Sequence, residues 1–157
     1  MEEIMANTYT QLLIQGIFAV KGRECLISRE WKDELYKYIT GIVRNKNQRL
    51  LCINGVNDHI HILIGLKPDI AISDLIRDVK NNSTDFINER RFVKGKFSWQ
   101  RGFGAFSYSN SQMDRVVKYI MNQEKHHQKR NFREEYLEFL QKFGVEYDER
   151  YLFDWIE

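Results

Sequence analysis

His59 and His61 stand two positions apart in Asn57-Asp58-His59-Ile60-His61-Ile62-Leu63-Ile64-Gly65, a spacing that carries chemistry if the segment is a strand. Residues two apart on a strand share a face. Both imidazoles then project together, while Ile60, Ile62 and Ile64 turn the other way into a core. Two imidazoles side by side on a rigid strand can chelate a metal; the same pair can equally be surface or hydrogen-bonded histidines on an ordinary strand. A second group lies downstream at Tyr119, Gln123, His126, His127 and Arg130. At about 100° per residue, Tyr119 and Gln123 fall one helical turn apart, on the flank of an apolar stripe of Met113, Val116, Val117 and Ile120. Glu124 interrupts that stripe. Taken alone, Tyr119 reads as a half-buried helix tyrosine with a wet hydroxyl. His126 and His127 read as a polar helix end near the negative pole of the dipole.

The elements that must position these groups follow from periodicity. Met1 to Asn7 is a short polar lead-in, and Thr8 to Val20 reads as a long first strand. Ser28 can cap a helix to about Asn45, with Trp31, Leu35, Tyr38, Ile39 and Ile42 at three- and four-residue spacing. Gln48 to Val56 is a second strand, joined through Asn57-Asp58 to the histidine strand as a hairpin. After the single proline, Pro68, Ser73 caps a helix to about Arg91 whose stripe is Ile72, Leu75, Ile76, Val79, Phe86 and Ile87. Gly104 to Tyr108 is a fourth strand. Ser111-Gln112-Met113-Asp114 has the form of a capping box opening a third helix to about Asn131. An acidic helix over about Arg133 to Phe143 leads to a tail whose Tyr147, Tyr151, Phe153 and Trp155 are expected to pack on the body or on a second copy. The order of the first six elements predicts an α+β, ferredoxin-like (RRM-like) four-stranded antiparallel sheet with helices packed on it, and C-terminal helices to spare.

A chain of 157 residues, 43% hydrophobic and 29% charged, is expected to form one domain, 1–157, with the sheet in 1–110 and the remaining helices in 111–157. No apolar run is long enough to span a bilayer and no secretory leader is evident. Cys25 and Cys52 lack a partner motif, so two free thiols in a cytoplasmic setting are expected. The net charge of +2 hides an asymmetry: residues 134–157 carry eight acids against two bases, leaving a basic body. Such a body is compatible with nucleic acid without requiring it.

Three segments together carry a resemblance. D-H-I-H-I-L-I at Asp58 to Ile64, W-Q-x-G-F-G-A-F-S at Trp99 to Ser107 and Y-I-x-N-Q-E-x-H-H at Tyr119 to His127 resemble the small insertion-sequence transposases of the single-strand, HUH-nuclease tyrosine class, REP-associated tyrosine transposases included. The resemblance implies His59 and His61 as metal ligands, Tyr119 as nucleophile and Gln123 as the helix-borne third ligand, with His126 and His127 as possible support. It implies a divalent cofactor, Mg or Mn, a homodimer, and single-stranded DNA with hairpin ends cut through a 5′-phosphotyrosine intermediate. Whether the sites form within one subunit or across two stays open. For DNA contacts, Lys21, Arg23, Arg77, Lys80, Lys94, Lys96 and Arg101 could hold phosphates, and Trp99, Phe103 and Tyr108 could stack unpaired bases. Rival readings are a domesticated relative that nicks or joins repeats, a water-using metal hydrolase, and a catalytically silent single-stranded nucleic-acid-binding module with an RRM-like sheet.

Overall fold

Branched apolar residues at alternating positions build the sheet in the computed structural model, which describes residues 7–156. Strands β1 (Leu13–Ala19), β2 (Arg49–Gly55), β3 (His59–Gly65) and β4 (Gly104–Tyr108) form one antiparallel sheet in the order β2-β3-β1-β4. Helices α1 (Lys32–Asn45) and α2 (Ile72–Arg90) lie between those strands in sequence. The first core is formed by Leu35, Ile39 and Val43 of α1 and Leu75, Ile76 and Val79 of α2, packed with Phe18, Ile60, Ile62 and Ile64 of the sheet. Gly16 permits this approach, since a Cβ there would lie 3.0 Å from Ile76 Cδ1 and 3.2 Å from Ile62 Cγ1.

The opposite sheet face carries Leu13, Gln15, Ile17, His59, His61, Leu63 and Phe106, and it is covered too. Helices α3 (Met113–Met121) and α5 (Phe132–Lys142) close it with Val116, Ile120, Phe132, Tyr136, Phe139 and Leu140. A short turn of helix, α4 (Gln123–His126), joins them. Burial on both sides explains why β3 reads as a nearly unbroken apolar run around its histidines. Neither face of the sheet is thus left bare to stack bases. Phe153 and Trp155 pack under α5, whereas Tyr147 and Tyr151 are exposed.

Several boundaries differ from the sequence expectation for physical reasons. β1 begins at Leu13 rather than Thr8, where both its partners end: Gly65 of β3 and Tyr108 of β4 stand opposite Leu13, and one further bond, from Leu66 N–H to the Leu12 carbonyl at 2.8 Å, closes the edge. α2 starts at Ile72 with Ala71 at its cap, so Ser73 already lies inside the first turn. The box before α3 is made two residues early, where the Ser109 N–H donates to Gln112 Oε1 at 2.9 Å in a 3-10 turn, rather than by Ser111 and Asp114. The third helix does not continue to Asn131. It breaks at Asn122 (φ −102°, ψ 25°). That break swings Glu124 off the apolar stripe to the surface, where it pairs with Arg29 at 3.3 Å and Lys32 at 3.5 Å. The expected lead-in lies outside the described residues except for Asn7, and among those described no helix is long and apolar enough to cross a membrane.

Candidate active site

The β2–β3 hairpin sets the register that brings His59 and His61 to the covered face, with Ala19 and Ile17 opposite them on β1. Both imidazoles are fully buried. Each ring is held at Nδ1 by an acceptor: Asp58 Oδ1 lies 2.7 Å from His59 Nδ1, and Gln15 Oε1 lies 2.6 Å from His61 Nδ1. The hydrogen-bond network thus assigns the proton to Nδ1 and turns both Nε2 lone pairs into the interior.

There they meet oxygens. Glu135 Oε1, from α5, lies 3.2 Å from His59 Nε2 and 3.1 Å from His61 Nε2. Gln123 Oε1, just past the Asn122 break, lies 3.2 Å from His59 Nε2, and its amide nitrogen donates to Glu135 Oε2 at 3.2 Å. His127 Nε2 adds contacts of 3.1 Å to Gln123 Oε1 and 3.2 Å to Glu135 Oε1. Two imidazole nitrogens, a carboxylate and an amide oxygen therefore converge as acceptors. Such a cage needs either extra protons or a cation at its centre. The ligand atoms of His59, His61 and Glu135 lie within 4.8 Å of one another, which fits one metal ion.

Charge follows burial and pairing. Burial alone would lower His59, but hydrogen bonds to Asp58 and Glu135 lift it to about 9. His61 moves the other way, because burial dominates over Glu135. Burial would raise the Glu135 carboxyl; the imidazoles around it outweigh that and hold it far below the usual carboxylate range. Glu135 is thus an anion at neutral pH, fully buried, and the natural counter-charge for a cation.

Tyr119 lies beside this cage in the same chain. Its hydroxyl donates to Glu135 Oε2 in a short hydrogen bond and accepts from Arg130 Nη2 at 2.8 Å. Its ring stacks on His126, with centroids 4.5 Å apart and planes 25° apart. Burial, and then the Glu135 charge, push the phenol above its ordinary value, with Arg130 acting against them. One chain accordingly assembles the hydroxyl, the histidine pair, the amide and a carboxylate around a single centre.

Sequence reasoning missed Glu135, and it named Arg130 in the downstream group without giving it a role. The signal for Glu135 was present: it stands three residues after Phe132 and four before Phe139, an acid on the buried face of its own helix. Asn131 starts that helix by accepting from the Glu134 N–H at 2.9 Å. His59 is a packing residue as well as a candidate ligand, since its ring lies flat on Phe132 with centroids 3.8 Å apart.

The proposed DNA contacts scatter. Trp99 is buried and donates from Nε1 to Ser83 Oγ at 3.0 Å, so it is a core side chain and cannot stack on a base. Lys80 Nζ donates to the carbonyl oxygens of Gln100 at 2.8 Å and Gly102 at 2.5 Å, tying down the loop before β4. Arg77 pairs with Asp74 and Asp78 on α2. Phe103 packs on the first core, and Tyr108 accepts from Gln15 Nε2 at 2.7 Å beneath α3 and α5. Lys94, Lys96 and Arg101 are exposed on the loop before β4, while Lys21 and Arg23 flank a separate hollow beside Trp155.

Comparison with known proteins bears on the family and the fold. Residues 8–123 match the family model described as IS200-like transposase. A proposed transposase from Deinococcus radiodurans has a similar structure, with TM-score 0.59 and 22% identity over 78% of this chain and 98% of that one. A REP-associated tyrosine transposase bound to a REP hairpin is similar at TM-score 0.56 and 16% identity, over 78% of this chain and 72% of that one. No curated protein matches the chain significantly.

Proposed function

The chain belongs to the IS200-like transposase family, and from that premise we propose that it cuts and rejoins single-stranded DNA at hairpin-bearing ends, with Tyr119 as nucleophile beside a divalent-metal site. The observation that carries the reading is the Glu135 carboxylate, one oxygen facing the histidine pair and the other accepting from the Tyr119 hydroxyl. His59, His61, Gln123 and Glu135 would hold the cation. Imidazoles alone favour zinc or copper, but the two oxygens from Gln123 and Glu135 move the donor set toward Mg or Mn. Bound there, the ion would withdraw charge from the scissile phosphate and steady the leaving 3′ oxygen.

The remaining steps belong to the chain. Glu135 Oε2 orients the tyrosine hydroxyl and lies on the path of its departing proton. Arg130, on the other side of the oxygen, offsets the charge that grows as the proton leaves. The Tyr119 oxygen forms a bond to phosphorus as the bond to the 3′ oxygen breaks. The products are a 5′-phosphotyrosine link and a free 3′-OH. Because the link is still a phosphodiester, another 3′-OH can reverse the step without ATP. The full set within one chain supports cleavage in cis, and a dimer is not needed to complete the constellation. A single-stranded hairpin as substrate is supported by the REP hairpin bound to the similar transposase.

The test is a cleavage assay on labelled hairpin DNA against the same sequence fully paired, with Mg2+, Mn2+ or a chelator. Cation-dependent cutting of the single strand with a protein adduct is expected. Equal cutting of the duplex would overturn the single-strand reading, and cutting without an adduct would overturn the tyrosine mechanism in favour of a water-using hydrolase.

A further inference from the structure

A cavity of about 250 Å3 opens between α3 and α5 on the side of Tyr119 away from the histidines. Its wall is partly apolar, formed by Val116, Phe139 and Tyr108, and partly cationic, with Arg115, Arg130 and Lys142 at its edge. Arg130 forks across it: Nη2 donates to the Tyr119 oxygen at 2.8 Å, and Nη1 forms a short ion pair with Glu138. Glu138 is the one carboxylate in the lining, and its side chain is 64% exposed. A guanidinium binds carboxylates and phosphates in the same planar manner. Glu138 therefore stands where a phosphate would bind, one guanidinium away from the nucleophile.

We propose that this cavity seats the nucleotide adjoining the scissile phosphate, its base against Val116 and Phe139 and its phosphate on Arg115, Arg130 and Lys142 in place of Glu138. The inference rests on the single-strand cleavage reading but names a subsite which that reading leaves blank. None of the basic residues expected from the sequence to touch DNA lines the cavity. Three cations against one displaceable acid suit a phosphodiester, and the apolar wall suits the flat face of a base. Swapping the carboxylate for a phosphate keeps Arg130 paired throughout, so the charge beside Tyr119 is never left uncompensated.

The probe is a fluorescein-labelled oligodeoxythymidine, with binding read by anisotropy in chelator across a salt series, so that no chemistry is required. Arg115→Ala and Lys142→Ala should each weaken binding about fivefold at 0.1 M salt and reduce the salt slope by about 0.7, the value for one lost phosphate contact on a single strand. Glu138→Gln should tighten binding several-fold. All three side chains are exposed, so folding is not at stake. Lys37→Ala, on α1 across the sheet, removes the same charge from a distant surface and should change little. If Lys37→Ala weakens binding as much as the cavity variants, or if Glu138→Gln fails to tighten it, the subsite is overturned. If the wild-type protein forms no covalent adduct but follows these binding shifts, the subsite stands and the cleavage reading falls.

Discussion

Without metal, the acceptor cage should make the protein lose stability as pH rises, and Glu135→Gln should blunt that loss. His59 is fully buried and lifted from 6.5 to about 9 by Asp58 and Glu135. A group raised on folding stabilises fully below its unfolded value, and the contribution is lost as pH climbs through the folded value. The window is thus from 6.5 to about 9, and at ~1.4 kcal/mol per unit the total is about 3 kcal/mol. For a domain of this length that corresponds to roughly 6–12 °C in Tm. His61 is lowered on folding, so it has the opposite sign and costs stability as pH falls below its ordinary value. Stability of the metal-free protein should therefore peak near pH 6.5. A divalent cation needs unprotonated imidazoles, so its stabilising shift should grow over the same window that destabilises the free protein. Melts followed by circular dichroism at pH 6.5 and 8.5, in chelator and then in Mn2+, measure both slopes. In Glu135→Gln the free protein should show a shallower pH dependence, because His59 keeps only Asp58, and the Mn2+ shift should shrink. A wild-type Tm flat between those pH values, or a Mn2+ shift no larger at pH 8.5 than at 6.5, would refute the protonation account of the cage.

Three further outcomes are expected. Gly104→Ala would place a Cβ 2.7 Å from Tyr136 Oη and 2.8 Å from its ring; it should cost about 1–3 kcal/mol in a melt and lower adduct yield, because α5 carries both Tyr136 and Glu135. Mixing Tyr119→Phe with a His59→Asn variant should not restore adduct formation if each chain completes its own site; a gel showing recovery would mean that the helix bearing Tyr119 exchanges between subunits. Burial raises the Cys52 thiol to about 11, so its alkylation, followed by intact mass, should be slow at pH 7 and quicken about tenfold per pH unit up to that value.

The sheet was legible because its signals are local. The β2–β3 hairpin, the alternation of Ile60, Ile62 and Ile64 and the stripes of α1 and α2 each lie within a short window. The cage was only partly legible. His59-x-His61 shows its geometry on one strand, but Glu135 reaches it from a helix 74 residues further along the chain, and its contact with His61 is set by how α5 crosses the sheet. Glu124 interrupted the apolar stripe only because the helix was taken to run straight through Asn122; the break there sends it to solvent. Gln123, one residue past the break, is buried against His59; the helical wheel set it on the flank of the stripe, and only the family resemblance offered it as a ligand. Trp99 misled for a related reason, since an indole in a basic loop and one buried on Ser83 look alike until the loop's path is known.

The most direct measurement is the site of covalent attachment. A hairpin DNA labelled at its 3′ end is incubated with the protein and Mn2+, digested with nuclease and trypsin, and the remaining adduct is mapped by mass spectrometry. The nucleotide should lie on the peptide Tyr119–Lys125, attached at Tyr119, and should be absent when Tyr119→Phe is used or the cation is chelated. A nucleotide on any other tyrosine, or free 5′-phosphate ends with no adduct at all, would contradict the assignment of Tyr119 as nucleophile.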